Sequence, residues 1–236
     1  MAKISVVIPA YNEEKYIGRT LESLKKQTLK PYEVIVVNND SKDKTEEVAK
    51  SMGAEVVFEK EKSIGAARKA GFEKAQGDII ATTDADTILP KDWLLRMAKT
   101  FLGDSRIVAL GGTYKFDSPK HQLTVKLISE IWILCDKILN FGNNIPGVNM
   151  AVKKEAYNKV GGFRKNYNYY EDLDLSLRLR KIGKTVFLKN LVVITSYRRY
   201  AKDGFFKTVF NYMRDYCRLR FRKKDIKMEN VRETNK

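Results

Sequence analysis

Two carboxylates one residue apart, Asp84-Ala85-Asp86, close an apolar run and stand just before Leu89-Pro90-Lys91. In extended chain running into a turn, both side chains reach one cleft, and their hard oxygens suit Mg²⁺ or Mn²⁺ bridging a diphosphate. The same tripeptide also occurs as a solvated turn or helix cap, so its meaning rests on its surroundings. A second acidic cluster, Glu171-Asp172-Leu173-Asp174, sits where a helical pattern begins. Acids favour a helix N-terminus, and an acid flanked by acids has a pKa that its neighbours can move either way, as proton transfer requires. The third feature is basic. Residues 198–236 hold thirteen Lys/Arg against five Asp/Glu, half of the chain's net charge of +16.

The elements that must position these groups follow a layered α/β pattern. Ile4-Ser5-Val6-Val7-Ile8 and Glu33-Val34-Ile35-Val36-Val37 are β-branched runs of the kind buried in a parallel sheet. Further strands are expected at 55–58 and 78–83, with helices at 13–26, 43–51 and 64–75, and with Asp43 and Ser63 as N-caps. Ligands of such sheets bind beyond the carboxyl ends of the strands, where the loops 9–14, 38–43 and 84–86 all fall.

The second half reads as an amphipathic helix over 121–140, a Gly/Asn-rich loop over 142–149, short helices at 151–160 and 172–181, and strands at 185–188 and 191–194. We divide the chain into a ligand-binding half, 1–115, a second half of the same domain, 116–200, and a basic helical tail, 201–236. The tail interleaves Phe205, Phe206, Phe210, Tyr212 and Tyr216 with Arg214, Arg218 and Arg220. That pattern suits an anionic membrane face as well as it suits packing on the domain. The two cysteines, Cys135 and Cys217, match no metal-ligand spacing and indicate a reducing compartment. With no signal-peptide pattern and no apolar run of membrane-spanning length, the expected location is cytoplasmic, with peripheral contact at the cytoplasmic membrane face.

The order and spacing of several motifs make the reading specific. Val6-Val7-Ile8-Pro9-Ala10-Tyr11-Asn12-Glu13-Glu14, Val36-Val37-Asn38-Asn39-Asp40-Ser41-Lys42-Asp43, Ile64-Gly65-Ala66-Ala67-Arg68 and Asp84-Ala85-Asp86 come first. Gly147-Val148-Asn149-Met150-Ala151, Val160-Gly161-Gly162-Phe163 and Glu171-Asp172-Leu173-Asp174-Leu175 follow, up to Arg178. Together they resemble family-2 glycosyltransferases of the GT-A fold. The resemblance implies a Rossmann-like, mostly parallel sheet flanked by helices, with an acceptor-side lobe, and an inverting, metal-dependent transfer from a nucleotide-diphosphate sugar of the UDP or GDP type. It implies a hydroxyl or phosphate acceptor, on a saccharide or a polyprenyl-linked lipid. Pro9, Ala10, Tyr11 and Glu13 would line the nucleoside pocket and Asp43 would belong to the loop that closes it. Asn39 stands where the family commonly has a base-binding Asp. Arg68 would lie near the diphosphate, Asp84 at ribose or metal, and Asp86 on Mn²⁺ or Mg²⁺. Asp172 would be the base that deprotonates the acceptor hydroxyl. Asn149, Glu171, Arg198 and Arg199 fall on the acceptor and sugar side, the two arginines reaching the diphosphate or forming a solvated basic turn.

Two departures shape the expectation. The only histidine is His121, which leaves the third metal ligand unassigned, and Thr195-Ser196-Tyr197-Arg198-Arg199-Tyr200 stands where processive members carry Gln-x-x-Arg-Trp, so transfer of a single sugar is expected. Competing classes fit less well. A sugar-phosphate nucleotidyltransferase needs a Gly-rich basic loop after the first strand, and Pro9-Ala10-Tyr11-Asn12-Glu13 is none; a dehydrogenase needs G-x-G-x-x-G there. A nucleic-acid-binding module would explain the charge but not the clustered carboxylates, so no nucleic-acid partner is expected.

Overall fold

The computed structural model describes residues 2–118, 145–167 and 169–198, with the single positions 201, 210 and 214. The amphipathic helix expected over 121–140, His121, both cysteines, Arg199 and nearly all of the basic tail lie outside the described residues.

The first strands are β1 (Ile4–Ala10), β2 (Glu33–Asn38), β3 (Glu55–Phe58) and β4 (Ile79–Thr82), joined by α1 (Ile17–Lys25), α2 (Thr45–Ser51) and α3 (Ile64–Lys74). The β-branched runs form parallel ladders, with Val6 opposite Val34 and Val7 opposite both Ile35 and Thr82. Successive residues of β1 serve opposite faces, as a period of two dictates. Val6 and Ile8 pack with Leu21, Leu24, Trp93 and Met97, whereas Val7 packs with Phe72, Tyr157, Phe163 and Leu175. Ser63 caps α3, its Oγ accepting from Ala66 N at 2.9 Å. Asp43 sits one residue before the Lys44 cap position of α2 instead of at the cap, accepting from Thr45 N at 3.0 Å and from Glu14 N at 3.0 Å.

The remaining elements are α4 (Trp93–Gly103), β5 (Ile107–Phe116), a 3₁₀ turn (Gly147–Asn149), β6 (Met150–Lys153), α5 (Lys154–Lys159), α6 (Glu171–Leu179) and β7 (Lys184–Thr195). One seven-stranded sheet results, in the order β3-β2-β1-β4-β6-β5-β7. It is parallel except for β6, which runs antiparallel to both β4 and β5. The helix expected over 151–160 is thus corrected to strand followed by a short helix. Met150 to Val152 are buried because the gap between β4 and β5 needs a strand, and that tertiary demand outweighs local propensity. The two strands expected at 185–188 and 191–194 are one strand, irregular where its register on β5 shifts between Gly112 and Thr113. Among the described residues no helix is long and apolar enough to cross a membrane.

Beyond the carboxyl ends of β1, β2 and β4 the chain leaves the sheet in the three polar loops that carry the motif residues. A further pairing narrows this edge. Ile88 and Ile194 exchange backbone hydrogen bonds of 2.7 and 3.0 Å, which lays the end of β7 beside the turn at 84–86.

Candidate active site

The loop after β1 is stapled to the loop after β2. Asn12, at φ 56°, donates its N–H to Ser41 Oγ at 3.0 Å and accepts from Lys42 N at 2.8 Å. Glu13 N donates to Thr45 Oγ1 at 2.7 Å, and Asn39 N donates to Ala10 O at 2.9 Å. Pro9 and Ala10 are buried at the end of β1, while Tyr11, Glu13 and Asp43 are half-buried around the crevice. Asn39 is 1% exposed, and its Nδ2 donates to the carbonyls of Glu59 and Glu61 at 2.8 and 2.7 Å. Both amide protons are therefore spent on the backbone.

Arg68 lies beneath the cleft, 3% exposed, on the inner face of α3. Its Nε donates to Glu171 at 3.0 Å, Nη1 to Thr82 Oγ1 at 2.6 Å and to Gly147 O at 3.0 Å, and Nη2 to Asp84 at 2.8 Å. Arg68, expected near the diphosphate, is the hub that ties the end of β4 to the start of α6. The glycine at 147 lets the guanidinium come close. A Cβ there would stand 2.7 Å from Arg68 Nη2 and 2.8 Å from Cζ. Burial alone would lower the Arg68 pKa, but Asp84, Glu171 and Asp172 around it raise it.

At the other end of the hub, Asp172 is half-buried. Its Oδ2 accepts from Gly147 N at 2.8 Å and its Oδ1 from Leu173 N at 2.7 Å. Burial raises the pKa of both Asp172 and Glu171, that of Glu171 to about 7 with the Asp172 charge adding to the effect, while Arg68 pulls both down. The helix that carries the pair is entered through Tyr170 in the left-handed region at φ 64°, a conformation costly for a bulky residue and found where a site imposes it. Asn149, expected on the acceptor and sugar side, is fully buried. It accepts from Trp93 Nε1 at 2.8 Å and donates to Thr113 O and Leu191 O at 2.9 Å each, bracing α4 against β5 and β7.

Asp86 lies under the end of β7. Thr20 of α1 holds the intervening turn, donating to Ala85 O at 2.7 Å and accepting from Thr87 N at 3.1 Å. Thr195 donates to Asp86 Oδ1 at 3.2 Å, and Arg198 Nε donates to Oδ2 at 3.2 Å. Arg198 also binds Glu13 and stacks its guanidinium 4.2 Å from the centre of the Tyr16 ring. Sequence reasoning did not pair Arg198 with Asp86, because the contact needs the return of β7 beside the turn.

The family model that describes glycosyl transferase family 2 matches residues 5–161. The chain belongs to glycosyl transferase family 2. A probable glycosyltransferase of Bacillus subtilis, YdaM, is 27% identical to it over 205 residues, which cover 78% of this chain and 48% of the relative. Glucosyl-dolichyl phosphate glucuronosyltransferase of Haloferax volcanii is 28% identical over 178 residues, covering 70% and 56%. The chain thus spans about half the length of these curated relatives. In structure it is similar to the mannosyltransferase PcManGT from Pyrobaculum calidifontis, solved in complex with GDP-Man and Mn²⁺, with TM-score 0.65 at 20% identity over 83% of this chain and 57% of that one. This likeness shows the GT-A type of α/β fold.

Whether this family-2 chain suits a divalent cation is testable on its donors. Among the described residues no three His, Cys, Asp or Glu side chains form a ready-made metal cage. Asp84 and Asp86 supply hard oxygens at one turn. Beside them Glu13 Oε2 is buried without a hydrogen-bond partner, and burial, against the pull of Arg198, pushes the Glu13 pKa up to about 7. The Asp86 and Asp84 charges contribute to that rise. Excess negative charge with one unsatisfied oxygen fits Mg²⁺ or Mn²⁺, which are held by one or two carboxylates and substrate phosphates.

Proposed function

We propose that the chain is a metal-dependent, inverting glycosyltransferase that moves one sugar from a UDP- or GDP-sugar to a hydroxyl of a saccharide or polyprenyl-lipid-linked acceptor. The Arg68 hub carries this reading. It holds Asp84, on the donor side, and Glu171, next to the base, on one guanidinium at 2.8 and 3.0 Å. Donor and acceptor chemistry therefore share a single rigid frame.

The nucleoside lies between the loops after β1 and β2. Asn39, its N–H groups committed to Glu59 and Glu61, accepts a ring N–H, which uracil and guanine both offer. Asp86 and Asp84 would hold Mn²⁺ or Mg²⁺. When bound there, a divalent ion would supply charge neutralisation for the diphosphate leaving group. Asp172 takes the acceptor proton on a carboxylate oxygen while that hydroxyl oxygen bonds to the anomeric carbon and the bond to the diphosphate breaks. The Gly147 and Leu173 N–H groups occupy one lone pair on each oxygen and fix the carboxylate's plane, and its raised pKa brings it closer to proton transfer at neutral pH. One base serves one displacement, in contrast to the paired carboxylates of glycosidases.

Two observations from relatives support the substrates: GDP-Man and Mn²⁺ in the Pyrobaculum enzyme, and a dolichyl phosphate-linked sugar in the name of the Haloferax one. The basic, aromatic tail suits an anionic membrane face on which such an acceptor resides. The test is transfer and hydrolysis with a panel of UDP-, GDP- and dTDP-sugars, with and without Mn²⁺. Asp172→Asn is expected to bind donor as the wild type does and to lose at least about a hundredfold in transfer. Asp86→Ala is expected to lose the metal-dependent part of donor binding. Transfer at the wild-type rate by Asp172→Asn refutes the base.

A further inference from the structure

Arg198 is where a cation already stands. Its Nε and Nη2 both lie 3.2 Å from Asp86 Oδ2, its Nη2 also binds Glu13 Oε1, and the guanidinium plane rests on the Tyr16 ring. The two carboxylates are largely buried, each side chain 14% exposed, and the arginine itself is 38% exposed. Arg198 thus bridges both carboxylates, and among the described residues Glu13 Oε2 remains without a hydrogen-bond partner. The backbone that delivers it is pinned one residue earlier. Tyr197 N donates to Asp117 Oδ1 at 3.0 Å, and the Tyr197 ring stacks edge-on against Phe116 at 5.4 Å. The long, partly exposed side chain is consequently the part free to relocate.

A divalent ion on Asp86 and this guanidinium compete for the same oxygen, and two cations a few ångströms apart in a half-buried site repel strongly. An incoming diphosphate presents several oxygens to which a planar fork is matched. We infer that Arg198 is an exchange residue: in the donor-free protein it fills the cation position between Asp86 and Glu13, and it moves onto the donor's phosphate oxygens when metal and diphosphate arrive together. The inference rests on the reading of Asp86 as a metal ligand. Its consequence is order. Metal alone has to displace the arginine without compensation, whereas metal with diphosphate gives the arginine a new partner, so the chain holds metal weakly until a donor is present.

Mn²⁺ binding followed by electron paramagnetic resonance of the free ion, with no nucleotide and then with UDP or GDP, tests this on wild type, Arg198→Gln, Arg198→Lys and Asp86→Ala. Without nucleotide, Arg198→Gln is expected to bind Mn²⁺ about tenfold more tightly than wild type, the equivalent of one charge-assisted hydrogen-bonding interaction. Arg198→Lys, which keeps the charge but cannot fork across both carboxylates, is expected to fall between them. With UDP or GDP the advantage of Arg198→Gln disappears, because the wild-type arginine then holds phosphate. Donor-free affinity unchanged in Arg198→Gln, or Arg198→Lys indistinguishable from wild type, overturns the exchange while leaving the metal site intact. Asp86→Ala binding Mn²⁺ as wild type does overturns the metal site, and the exchange with it.

Discussion

Replacing Arg68 by methionine tests whether the hub is the frame of the site. The substitution removes four hydrogen bonds from a guanidinium that is 3% exposed and strands Glu171, whose side chain is 7% exposed. The size of the loss depends on pH. Glu171 has its folded pKa raised from the usual carboxylate range to about neutrality, so the folded state holds a proton that the unfolded state has released. That contribution to stability is present at low pH and lost as pH rises towards the folded pKa. Well below neutrality Glu171 is largely protonated in both proteins, and the variant loses mainly its hydrogen bonds and packing, about 2 kcal/mol. Above neutrality the wild-type carboxylate ionises against Arg68 and the variant's has no counter-ion. The gap then widens by up to about 1.4 kcal/mol per pH unit, towards the 3–5 kcal/mol of a broken buried pair, roughly, near pH 8.5. Urea unfolding of both proteins at about pH 6 and pH 8.5 measures the two values. Adding Glu171→Gln to the variant removes the stranded charge and is expected to recover about 2 kcal/mol at the higher pH and little at the lower. A penalty under about 1 kcal/mol at pH 8.5, or one independent of pH, refutes the hub as the electrostatic centre.

Two further outcomes probe the nucleoside pocket and the platform beneath it. If the Asn39 oxygen receives a ring N–H, cytosine and adenine, which present a ring acceptor there, leave two acceptors facing each other. CDP and ADP are then expected to bind at least about tenfold more weakly than UDP or GDP in calorimetric titrations, and equal affinities would exclude this contact. Gly71 lets α3 approach the sheet, since a Cβ would stand 2.3 Å from Val7 Cγ1 and 2.8 Å from Val37 Cγ2. Gly71→Ala is expected to lower unfolding stability by about 1–3 kcal/mol, because overpacking outweighs the better helix propensity of alanine; a gain would show that the helix relaxes freely.

The legible part of the fold was the part whose signal is local. The buried β-branched runs of β1 and β2 name a parallel sheet because burial on both faces requires continuous apolar sequence, and the turn-rich ends of those runs mark the ligand edge. Met150-Ala151-Val152-Lys153 carries no such signal. Four residues of mixed propensity become a strand only because β4 and β5 leave a place between them. Nor did local pattern announce α4 and β5, and the Lys189-Asn190 pair inside β7 reads as a turn until its partner strand is known to shift register there.

The site residues divide along the same line, and the division bears on how motifs should be read. Residue type and order locate the acids, since carboxylates at 84, 86 and 172 are costly to gather without a cation or a proton to receive. Type does not tell what Arg68 and Asn149 touch. Both are polar side chains in motifs of a catalytic family, and both have their hydrogen-bonding groups taken up by the protein itself: Arg68 by Glu171, Thr82, Gly147 and Asp84, Asn149 by Trp93, Thr113 and Leu191. A motif residue is therefore tied to the chemistry either by touching substrate or by fixing what does. Arg198 reverses the lesson. Its pattern alone allows a solvated basic turn, yet β7 and the Ile88–Ile194 pairing deliver it to the Asp86 carboxylate. The arginine in the recognised motif is held as frame, and the one beyond the motifs stands at the reactive edge, where its exchange with a cation makes the order of metal and donor binding a property of this sequence.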